Sequence, residues 1–482
     1  MYLQPDGSLL RVGHYPNAVF DACYCGTGGV IERIDWDGNV VWHYIISDTL
    51  QVQSHDICYL PNGNILVDVW ENISASVAAA NGRKPAYTGI RMYSPKLIEL
   101  KPIGTDSAEI VWQWRAWDHL IQDYSSSKTN FGVVTDHPEL INLNYVNLFA
   151  EPAMGPDWTH MNAVVYNPAL DQVMVSAHNF SEVWIIDHST STAQATTHNG
   201  GKYNKGGDLL YRWGNPAAYN RGTTANTKFF QQHNCTWVPS GPYKNQIMVF
   251  NNGYGRPGGS YYSTVDVFQP PVDSAGNYSI TPGAAYEPTV LSFSYQSPTP
   301  TDFYSQYMGS AQFLPNNNLL ICSGVPGIFF EVDLLTHTLW KYVNPIDNGI
   351  SLVQGTKTMY NSVYKCIFYP YGYPGLAGHA LDAGLPLETN PLPYTCTFDL
   401  DVKTTAPANN TADIFPNPAN NSFTIRSKNL ISIELTDITG KTLIHNDYRD
   451  ISSAEINTAF LPGGVYILII NNAEYKRMVI QH

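Results

Sequence analysis

The chain has 482 residues, of which 44% are hydrophobic, 13% aromatic and only 14% charged. This length is too great for one small domain, and the apolar content excludes a chain that is disordered throughout. There are 26 Lys and Arg residues against 40 Asp and Glu, and the formal net charge is −14. This charge excludes nucleic acid as a partner, because binding to a phosphate backbone needs a basic surface.

A short turn recurs between segments that alternate apolar and polar residues. It reads Pro-Asp-Gly at residues 5–7, Pro-Asn-Gly at 61–63 and Pro-Asn-Asn at 315–317, and longer versions follow Pro168 and Pro239. Proline presets the first turn dihedral, and Gly or Asn accepts the left-handed one. Each turn therefore predicts a β-hairpin.

A strand with paired aromatic residues recurs as well, at residues 41–44, 111–114, 210–213 and 339–342. Alternation with a period of two is typical of half-buried strands, and no long segment has a helical period. Four-strand units that repeat with insertions between them predict an all-β chain with a β-propeller. An array of sandwich domains is the alternative.

The composition changes over residues 402–410 to Thr, Ala, Pro and Asn, which is typical of a linker. Short strand patterns follow it, at 422–425, 432–436, 442–445, 464–470 and 477–480. Strands at this spacing predict a small β-sandwich. The predicted organisation is a propeller over residues 1–398, a linker over 399–411 and a sandwich over 412–482.

The C-terminal region contains four motifs. They are Phe-Pro-Asn-Pro at 415–418, Asp-Ile-Thr-Gly-Lys at 437–441, Leu-Pro-Gly-Gly-Val-Tyr at 461–466 and Lys-Arg-Met-Val-Ile at 476–480. Together they resemble the type A sorting domain of the type IX secretion system. The resemblance implies export across an outer membrane, a secreted or surface-attached protein, and the secretion machinery as a partner.

Six motifs follow one another in the larger region. They are Ser-His-Asp-Ile at 54–57, Asp-Trp-Thr-His-Met-Asn at 157–162, Gly-Asp-Leu-Leu-Tyr-Arg-Trp-Gly-Asn-Pro at 207–216, Gln-His-Asn at 232–234, Asn-Asn-Gly-Tyr-Gly-Arg at 251–256 and Tyr-Pro-Gly-Leu-Ala-Gly at 373–378. In this order they resemble the arylsulfotransferase family, from about Tyr2 to Thr397. The resemblance implies a six-bladed propeller that transfers a sulfuryl group from an aryl sulfate to a phenol. In the family a histidine is sulfated, and neither a nucleotide donor, a cofactor nor a metal is expected.

The repeat itself points to a histidine pocket. His55 and His233 each lie six residues before a turn proline, and His160 lies eight residues before Pro168. Equivalent positions of propeller blades converge on the central channel, so we expect the three rings to share one pocket. The predicted catalytic residues are His55, His160 and His233, together with Arg256, which resembles the pocket arginine of the family. The predicted substrate-binding residues are Asn162, Asn234 and Tyr307.

The next blade departs from this pattern. Six residues before Pro315 stands Gly309, and no histidine lies between His233 and His337. Order in the chain places the family's sulfated histidine here, so we expect it to be missing, with Tyr307 lining the pocket instead. His119 and His137 are expected to be structural. Two functions stay open: a secreted aryl sulfate sulfotransferase, and a non-catalytic surface propeller that binds a ligand or builds fibres.

The N-terminus predicts an incomplete first blade. Six residues before Pro5 falls before Met1, and no export signal opens the chain. We therefore expect a truncated or processed chain, or a blade completed by a strand from residues 393–397 or from a neighbouring subunit. Donation between subunits would build a homo-oligomer or fibre, because a head-to-tail contact need not close.

Overall fold

The computed structural model describes residues 1–21, 26–150, 155–259, 261–382, 384–391, 412–437, 441–471 and 474–481. The chain divides into two compact units, Met1–Pro391 and Leu392–His482. The α-helices of the described ranges are short, α1 (Ala75–Ala80) and α2 (Thr192–Ala195), and the all-β prediction is confirmed. No helix in these ranges has the length and apolarity needed to cross a membrane. The predicted linker (399–411) and the segment 393–397 lie outside the described residues.

The described residues of the first unit form five antiparallel sheets of four consecutive strands each, together with two small strand pairs. The first two sheets are β1 (Tyr2–Leu3), β2 (Leu9–His14), β3 (Gly29–Ile34) and β4 (Val40–Ile45), then β5 (Gln51–Tyr59), β6 (Ile65–Ser74), β7 (Arg91–Ile103) and β8 (Ser107–Arg115). A parallel pair follows, β9 (Leu120–Ile121) and β10 (Ile141–Asn142).

The remaining three four-stranded sheets follow in chain order. They are β11 (Met161–Asn167), β12 (Gln172–Ala177), β13 (Glu182–Asp187) and β14 (Leu209–Trp213); β15 (His233–Trp237), β16 (Ile247–Asn251), β17 (Thr264–Phe268) and β18 (Phe293–Tyr295); and β19 (Ser310–Phe313), β20 (Leu319–Ser323), β21 (Ile328–Val332) and β22 (Thr338–Val343). A last pair is β23 (Ile346–Asp347) and β24 (Ile350–Ser351).

The sheets follow one another in space as they do along the chain. Strand β5 contacts β3 and β11, β11 contacts β15, and β15 contacts β19. From the second sheet on, the first strand of each sheet therefore faces the first strand of the next, as in the blades of a propeller, while the first sheet meets β5 through β2 and β3. Aromatic side chains fill the contacts between sheets, as where Trp213 stacks on Phe268 with ring centroids 3.9 Å apart.

The repeated turns are confirmed. Gly7, Gly63 and Asn317 have φ angles of 89°, 88° and 65°, and they join the first two strands of their sheets. Each aromatic segment is the last strand of its sheet, since residues 41–44, 111–114, 210–213 and 339–342 lie in β4, β8, β14 and β22. Both patterns are local, which is why the sequence predicts them.

The expectation that the first sheet lacks its innermost strand is wrong. Strand β1 is short, but it pairs with β2, Tyr2 opposite Leu10 and Leu3 opposite Leu9. The Tyr369 hydroxyl accepts a hydrogen bond from the Leu3 N–H, and the Tyr373 hydroxyl donates one to the Leu3 carbonyl, both at 2.9 Å. The two hydroxyls form hydrogen bonds with the N–H and the carbonyl at the edge of β1. We had expected a donated strand to pair with these groups.

An extended segment near Tyr364 lies between the fifth sheet and the first two. The Gly309 N–H donates to the Tyr364 carbonyl at 3.0 Å, on the side of the fifth sheet. Lys365 forms an ion pair with Asp56 of β5 at 2.8 Å, and it also contacts the Tyr2 hydroxyl. The segment thus links the two ends of the row of sheets.

The second unit is one five-stranded sheet. Its strands are β25 (Asp413–Phe415), β26 (Ser422–Asp437), β27 (Thr442–Asn457), β28 (Gly464–Ile470) and β29 (Glu474–Ile480). The register of β26 on β27 shifts between Arg426 and Ser432, so the long strands bend and enclose a core with Phe423 and Leu435. The predicted sandwich of separate short strands therefore takes the form of a single curled sheet.

Candidate functional site

Four histidine rings meet at the inner ends of three sheets. His55 belongs to β5, His160 precedes β11, His178 follows β12, and His233 begins β15. The ring centroids of His55 and His160 are 4.3 Å apart, those of His160 and His178 4.6 Å, and those of His178 and His233 5.3 Å. We call these four residues the central cluster. The predicted histidines do lie together.

The fourth ring of the cluster, His178, is a residue that sequence reasoning did not single out. His178 comes from the third sheet and not from the fifth, where we expected a vacancy at Gly309. Strands β11 and β12 are antiparallel with Met161 opposite Ala177, so His160 and His178 are neighbours, and the His178 N–H points to the His160 carbonyl at 3.3 Å. A hairpin that begins after one histidine and ends before another is the signal that sequence reasoning missed.

The Nδ1 nitrogens of His160 and His178 are held from outside the cluster. His160 Nδ1 lies 2.7 Å from the Asp157 carboxylate, whose other oxygen accepts from the His160 N–H. His178 Nδ1 lies 2.8 Å from Asn179 Oδ1. The Asn179 amide nitrogen donates to the Asp157 carbonyl, so its oxygen faces the ring as an acceptor.

His233 is held in the same way. Its Nδ1 lies 2.8 Å from Asn252 Oδ1, while the Asn252 amide nitrogen donates to the carbonyls of Ser305 and Met308. In these three rings Nδ1 therefore carries the proton, and Nε2 is the nitrogen with a lone pair.

His55 differs from the other three rings. Its Nδ1 lies 2.6 Å from Ser54 Oγ, and its Nε2 lies against Gly26, where a Cβ would approach that nitrogen to 2.2 Å. The Gly26 φ of 108° is one that glycine adopts without strain. His55 therefore packs on the cluster as a ring, while its Nε2 faces the Gly26 backbone.

Burial favours the neutral form of His55, His178 and His233. Burial lowers the pKa of His55 and His178 well below the ordinary value, and the neighbouring His160 ring lowers both further. Burial, followed by His160, lowers the pKa of His233 to about 3, against the hydrogen bonds to Asn252 and the Gln231 backbone. A neutral imidazole keeps the lone pair that a nucleophile or a metal ligand needs.

A cavity of about 640 Å³ opens beside the cluster. His178 is the central histidine that lines it, together with Asp157 and Asn179 on one side. Phe230 and Tyr254 line it on another. A cavity of this size holds a small aromatic molecule.

Arg256 lies in the loop after β16, between Gly255 and Pro257, which line this cavity. Its guanidinium stacks between the rings of Phe230 and Tyr262, 4.9 and 4.4 Å from their centroids. Its Nε and Nη2 are buried and have no hydrogen-bond partner among the described residues. Buried unpaired donors are costly, so this pair is suited to an anionic acceptor.

The three residues predicted to bind substrate differ in their surroundings. Asn162 donates to the Gln232 carbonyl at 2.9 Å, and its buried Oδ1 has no partner among the described residues. Asn234 accepts from the Ala311 N–H at 3.2 Å and so joins the fourth sheet to the fifth. Tyr307 is 50% exposed. Among the described ring contacts, none joins Tyr307 to the central cluster.

Sequence reasoning also missed a buried acid on β6. Asp68 is 0% exposed, and neither carboxyl oxygen has a hydrogen-bond partner in the described part of the chain. Burial raises the pKa of Asp68 well above the ordinary value, and the charges of Asp157 and Asp56 raise it further. Its surroundings therefore favour the protonated form of the carboxyl group, close enough to Asp157 to feel the charge of that residue.

A second histidine cluster lies near α2. His119 Nδ1 and His198 Nδ1 both lie 2.8 Å from the same oxygen of Asp208, and His119 Nε2 lies 2.8 Å from the Ala195 carbonyl. We call His119, His198 and Asp208 the Asp208 cluster. Both nitrogens of His119 face hydrogen-bond acceptors, the Asp208 carboxylate and the Ala195 carbonyl. The structural role expected for His119 agrees with this geometry.

Both clusters bring ligand atoms together. One nitrogen each of His160, His178 and His233 lies within 4.8 Å of the others, and the same limit holds for one atom of each residue in the Asp208 cluster. Since Nδ1 is engaged outside the central cluster, the converging nitrogens there are assigned as Nε2. In the Asp208 cluster the converging nitrogens are the Nδ1 atoms of His119 and His198. Each of them lies at hydrogen-bond distance from the Asp208 carboxylate.

Two family models match the chain. Residues 20–353 match the family described as arylsulfotransferase (ASST), and residues 413–481 match a secretion system C-terminal sorting domain. The sorting domain implies export across the outer membrane to the cell surface or the medium. The comparison with curated proteins yields no significant match.

Solved structures give weak likenesses. A protein of unknown function from Bacteroides caccae is 10% identical, with 65% of this chain and 75% of that chain covered and a TM-score of 0.33. A catalytically inactive virginiamycin B lyase from Staphylococcus aureus is also 10% identical, with coverages of 71% and 76% and a TM-score of 0.30. A Lactobacillus plantarum protein is 8% identical, with coverages of 98% and 96% and a TM-score of 0.32. At these scores the likenesses carry no argument about this chain.

Proposed function

The chain belongs to the arylsulfotransferase family, and from this membership we propose that it transfers a sulfuryl group from an aryl sulfate to a phenolic acceptor at the central cluster. One observation carries the proposal. Imidazoles with Nδ1 held from outside surround a common centre beside a cavity, and the loop that lines this cavity at Gly255 and Pro257 carries Arg256, an arginine without a hydrogen-bond partner at two of its nitrogens.

His178 is the proposed nucleophile. It is the central histidine on the cavity wall, its pKa is lowered by burial, and Asn179 holds Nδ1 so that Nε2 keeps its lone pair. In the first half-reaction Nε2 bonds to sulfur, and the bond from sulfur to the aryl oxygen breaks, with its electron pair leaving on that oxygen. In the second half-reaction the acceptor phenol oxygen bonds to sulfur and Nε2 regains its lone pair.

His160 is the proposed acid and base. The Asp157 carboxylate stabilises the imidazolium form of the His160 ring through the 2.7 Å contact to Nδ1. Before the first half-reaction Nε2 takes a proton from solvent and gives it to the departing phenolate. The neutral ring then takes the proton of the acceptor phenol, which restores the protonated form for the next cycle. His233 and His55 pack around this pair and keep the site dry.

Arg256 is proposed to hold the sulfuryl oxygens. Its Nε and Nη2 are donors without partners, and the flanking rings of Phe230 and Tyr262 fix the plane of the guanidinium. Planar paired donors suit an anion whose charge moves onto its oxygens during transfer. The unpaired Asn162 Oδ1 is an acceptor and does not serve an anion.

The propeller is proposed to have six positions around its channel. Five are four-stranded sheets, and the segment near Tyr364 and Lys365 occupies the gap between the fifth sheet and the first. At the sixth position, this segment therefore stands where a propeller blade would have a four-stranded sheet.

A non-catalytic propeller is the rival function. The observation in its favour is the fifth sheet, which presents Met308 and Gly309 near the channel where the family's sulfated histidine was expected. A ligand-binding protein would keep the cavity and Arg256 without needing a nucleophile.

The test is an assay of the full chain with p-nitrophenyl sulfate as donor and phenol as acceptor. We expect nitrophenolate release that depends on phenol, with phenyl sulfate formed in equal amount. No release from the parent protein, together with binding of p-nitrophenyl sulfate that Arg256→Ala removes, would favour the rival function.

A further inference from the structure

Three imidazoles of the central cluster have the geometry of a metal site. We propose that His160, His178 and His233 bind a single divalent d-block cation of the zinc class through their Nε2 atoms. The ligand set is three imidazole nitrogens without a carboxylate, which suits zinc, copper or nickel and not magnesium or calcium. An ion on these Nε2 atoms would occupy the lone pairs that the proposed sulfuryl transfer uses, so the metal-bound form and the transfer-competent form of the site exclude one another.

The distances fit this class of ion. The three nitrogens lie within 4.8 Å of one another. A zinc ion bound at about 2.0–2.1 Å from each would set the nitrogens roughly 3.3 Å apart. Each pair of rings therefore needs to close by at most about 1.5 Å, which small ring rotations supply.

The partners of Nδ1 prepare the rings for metal. Histidines that bind metal nearly always donate their other N–H to a carboxylate, carbonyl or amide oxygen, which fixes the tautomer and the ring plane. Asp157, Asn179 and Asn252 do this for the three rings, at 2.7, 2.8 and 2.8 Å. The Asp157 carboxylate also balances part of the charge that the cation would bring.

The backbone holds the ligands rigidly. His160 has a φ of 48°, a left-handed conformation that a histidine adopts at some cost, and the Asp157 carboxylate bonds its N–H at 2.9 Å. His178 and His233 stand at the ends of buried strands, so their positions follow from the sheets and not from mobile loops. Rigid supports of this kind reduce the ordering that metal binding requires.

One coordination position would remain open. His178 lines the cavity of about 640 Å³, so an ion held by the three rings would face that space. Three protein ligands and one open position are typical of catalytic zinc sites, where a water or a substrate oxygen completes the tetrahedron. The fourth ring does not fill this position, because His55 Nε2 lies against Gly26.

The Asp208 cluster does not share these features. Its two Nδ1 atoms lie at hydrogen-bond distance, 2.8 Å, from one carboxylate oxygen, and the other nitrogen of His119 bonds to a carbonyl. Hydrogen bonds occupy both nitrogens of His119, so neither is free to bind a metal. We therefore expect the ion to bind to the central cluster and not to the Asp208 cluster.

The test is a titration of the full chain with Co²⁺, after dialysis against a chelator, by the visible absorption of four-coordinate cobalt. The parent protein is expected to take up a single equivalent with an intense four-coordinate spectrum, and His178→Gln is expected to lose it. His198→Gln is the matched control, because it removes an exposed histidine of the Asp208 cluster and should bind as the parent does. Asp157→Asn should weaken binding by about 10–100-fold, since it changes only the support of His160.

Thermal unfolding of each variant shows whether it is folded, and His233→Gln replaces His178→Gln if that variant is not. The inference is overturned if the parent gives no four-coordinate spectrum, or if His178→Gln and His233→Gln bind as the parent does. It is also overturned if His198→Gln, and not the central variants, loses the spectrum. Because no sulfate ester is used, these outcomes are independent of whether the protein transfers sulfuryl groups.

Discussion

The two histidine clusters use opposite nitrogens. In the central cluster, acceptors outside the cluster hold Nδ1, and in His160, His178 and His233 Nε2 keeps a lone pair. In the Asp208 cluster, Nδ1 points inward at an acid, and His119 Nε2 bonds to a backbone carbonyl. The same side chain therefore offers a lone pair in one region and a hydrogen-bond donor in the other. The difference lies in the partner of the second nitrogen and not in burial, since both regions contain fully buried rings.

The largest contrast is expected from removing one histidine in each region. His178→Ala should lower sulfuryl transfer by about 10⁴-fold or more, because no other central ring lines the cavity with a lone pair. His198→Gln should leave the rate unchanged. The measurement is phenol-dependent release of nitrophenolate from p-nitrophenyl sulfate, and equal rates in the two variants would remove the distinction between the clusters.

The Asp157→Asn variant tests the support of His160. It keeps the shape of the side chain but loses the charge that stabilises the imidazolium, so kcat should fall by about 10³-fold with little change in KM. An aryl sulfate whose phenol is more acidic should recover much of the loss, since its departure needs less proton donation. A fall in KM alone, or no recovery with the better leaving group, would contradict this role.

Stability should respond in the opposite order. His119→Gln breaks a buried ion pair and leaves Asp208 facing the interior, which should lower the free energy of unfolding by about 3 kcal/mol. His178→Gln replaces a neutral ring and should cost about 1 kcal/mol or less. Chemical unfolding of the first unit measures both. Equal losses would mean that the central cluster supports the fold as strongly as the Asp208 cluster does.

Arg256→Lys sharpens the assignment of the cavity. Lysine keeps the charge but loses the planar pair of donors and the stacking on Phe230 and Tyr262, so kcat/KM should fall by about 10²-fold. Inorganic sulfate should also inhibit this variant less than the parent. If inorganic sulfate inhibited Arg256→Lys as strongly as the parent, the anion would bind at a site other than Arg256.

The smallest effect concerns Asp68 and pH. Its pKa is raised in the folded protein above the unfolded value of 3.8, so folding favours the protonated form, and stability is lost as the pH rises above that value. Between about pH 4 and pH 5 the parent should lose about 1 kcal/mol relative to Asp68→Asn, which cannot ionise. Parallel pH profiles of the two proteins would show that Asp68 is not a buried neutral acid.

Some parts of this molecule follow from the sequence because they are local. The turns at Gly63 and Asn317 need a left-handed residue at a fixed place, and the aromatic strands alternate with a clear period. His55, His160 and His233 were found because they precede such turns. A spacing along the chain was enough to bring these three rings together.

Other parts depend on pairing between distant residues. His178 reaches the cluster through the register of β12 on β11, and His119 meets Asp208 across 89 positions of the chain. The curled sheet of the second unit depends on bends in β26 that no short motif marks. Register and long-range contacts are set by packing, which spacing along the sequence does not record.

The most direct test of the central claim is the site of sulfation. The full chain is incubated with p-nitrophenyl sulfate without an acceptor, digested under mildly alkaline conditions that preserve phosphoramidate-like N–S bonds, and mapped by mass spectrometry. We expect a single sulfuryl group on the peptide that contains His178, and its loss after phenol is added. A sulfuryl group on a residue outside the central cluster, or none in a protein that still transfers it to phenol, would show that His178 is not the nucleophile.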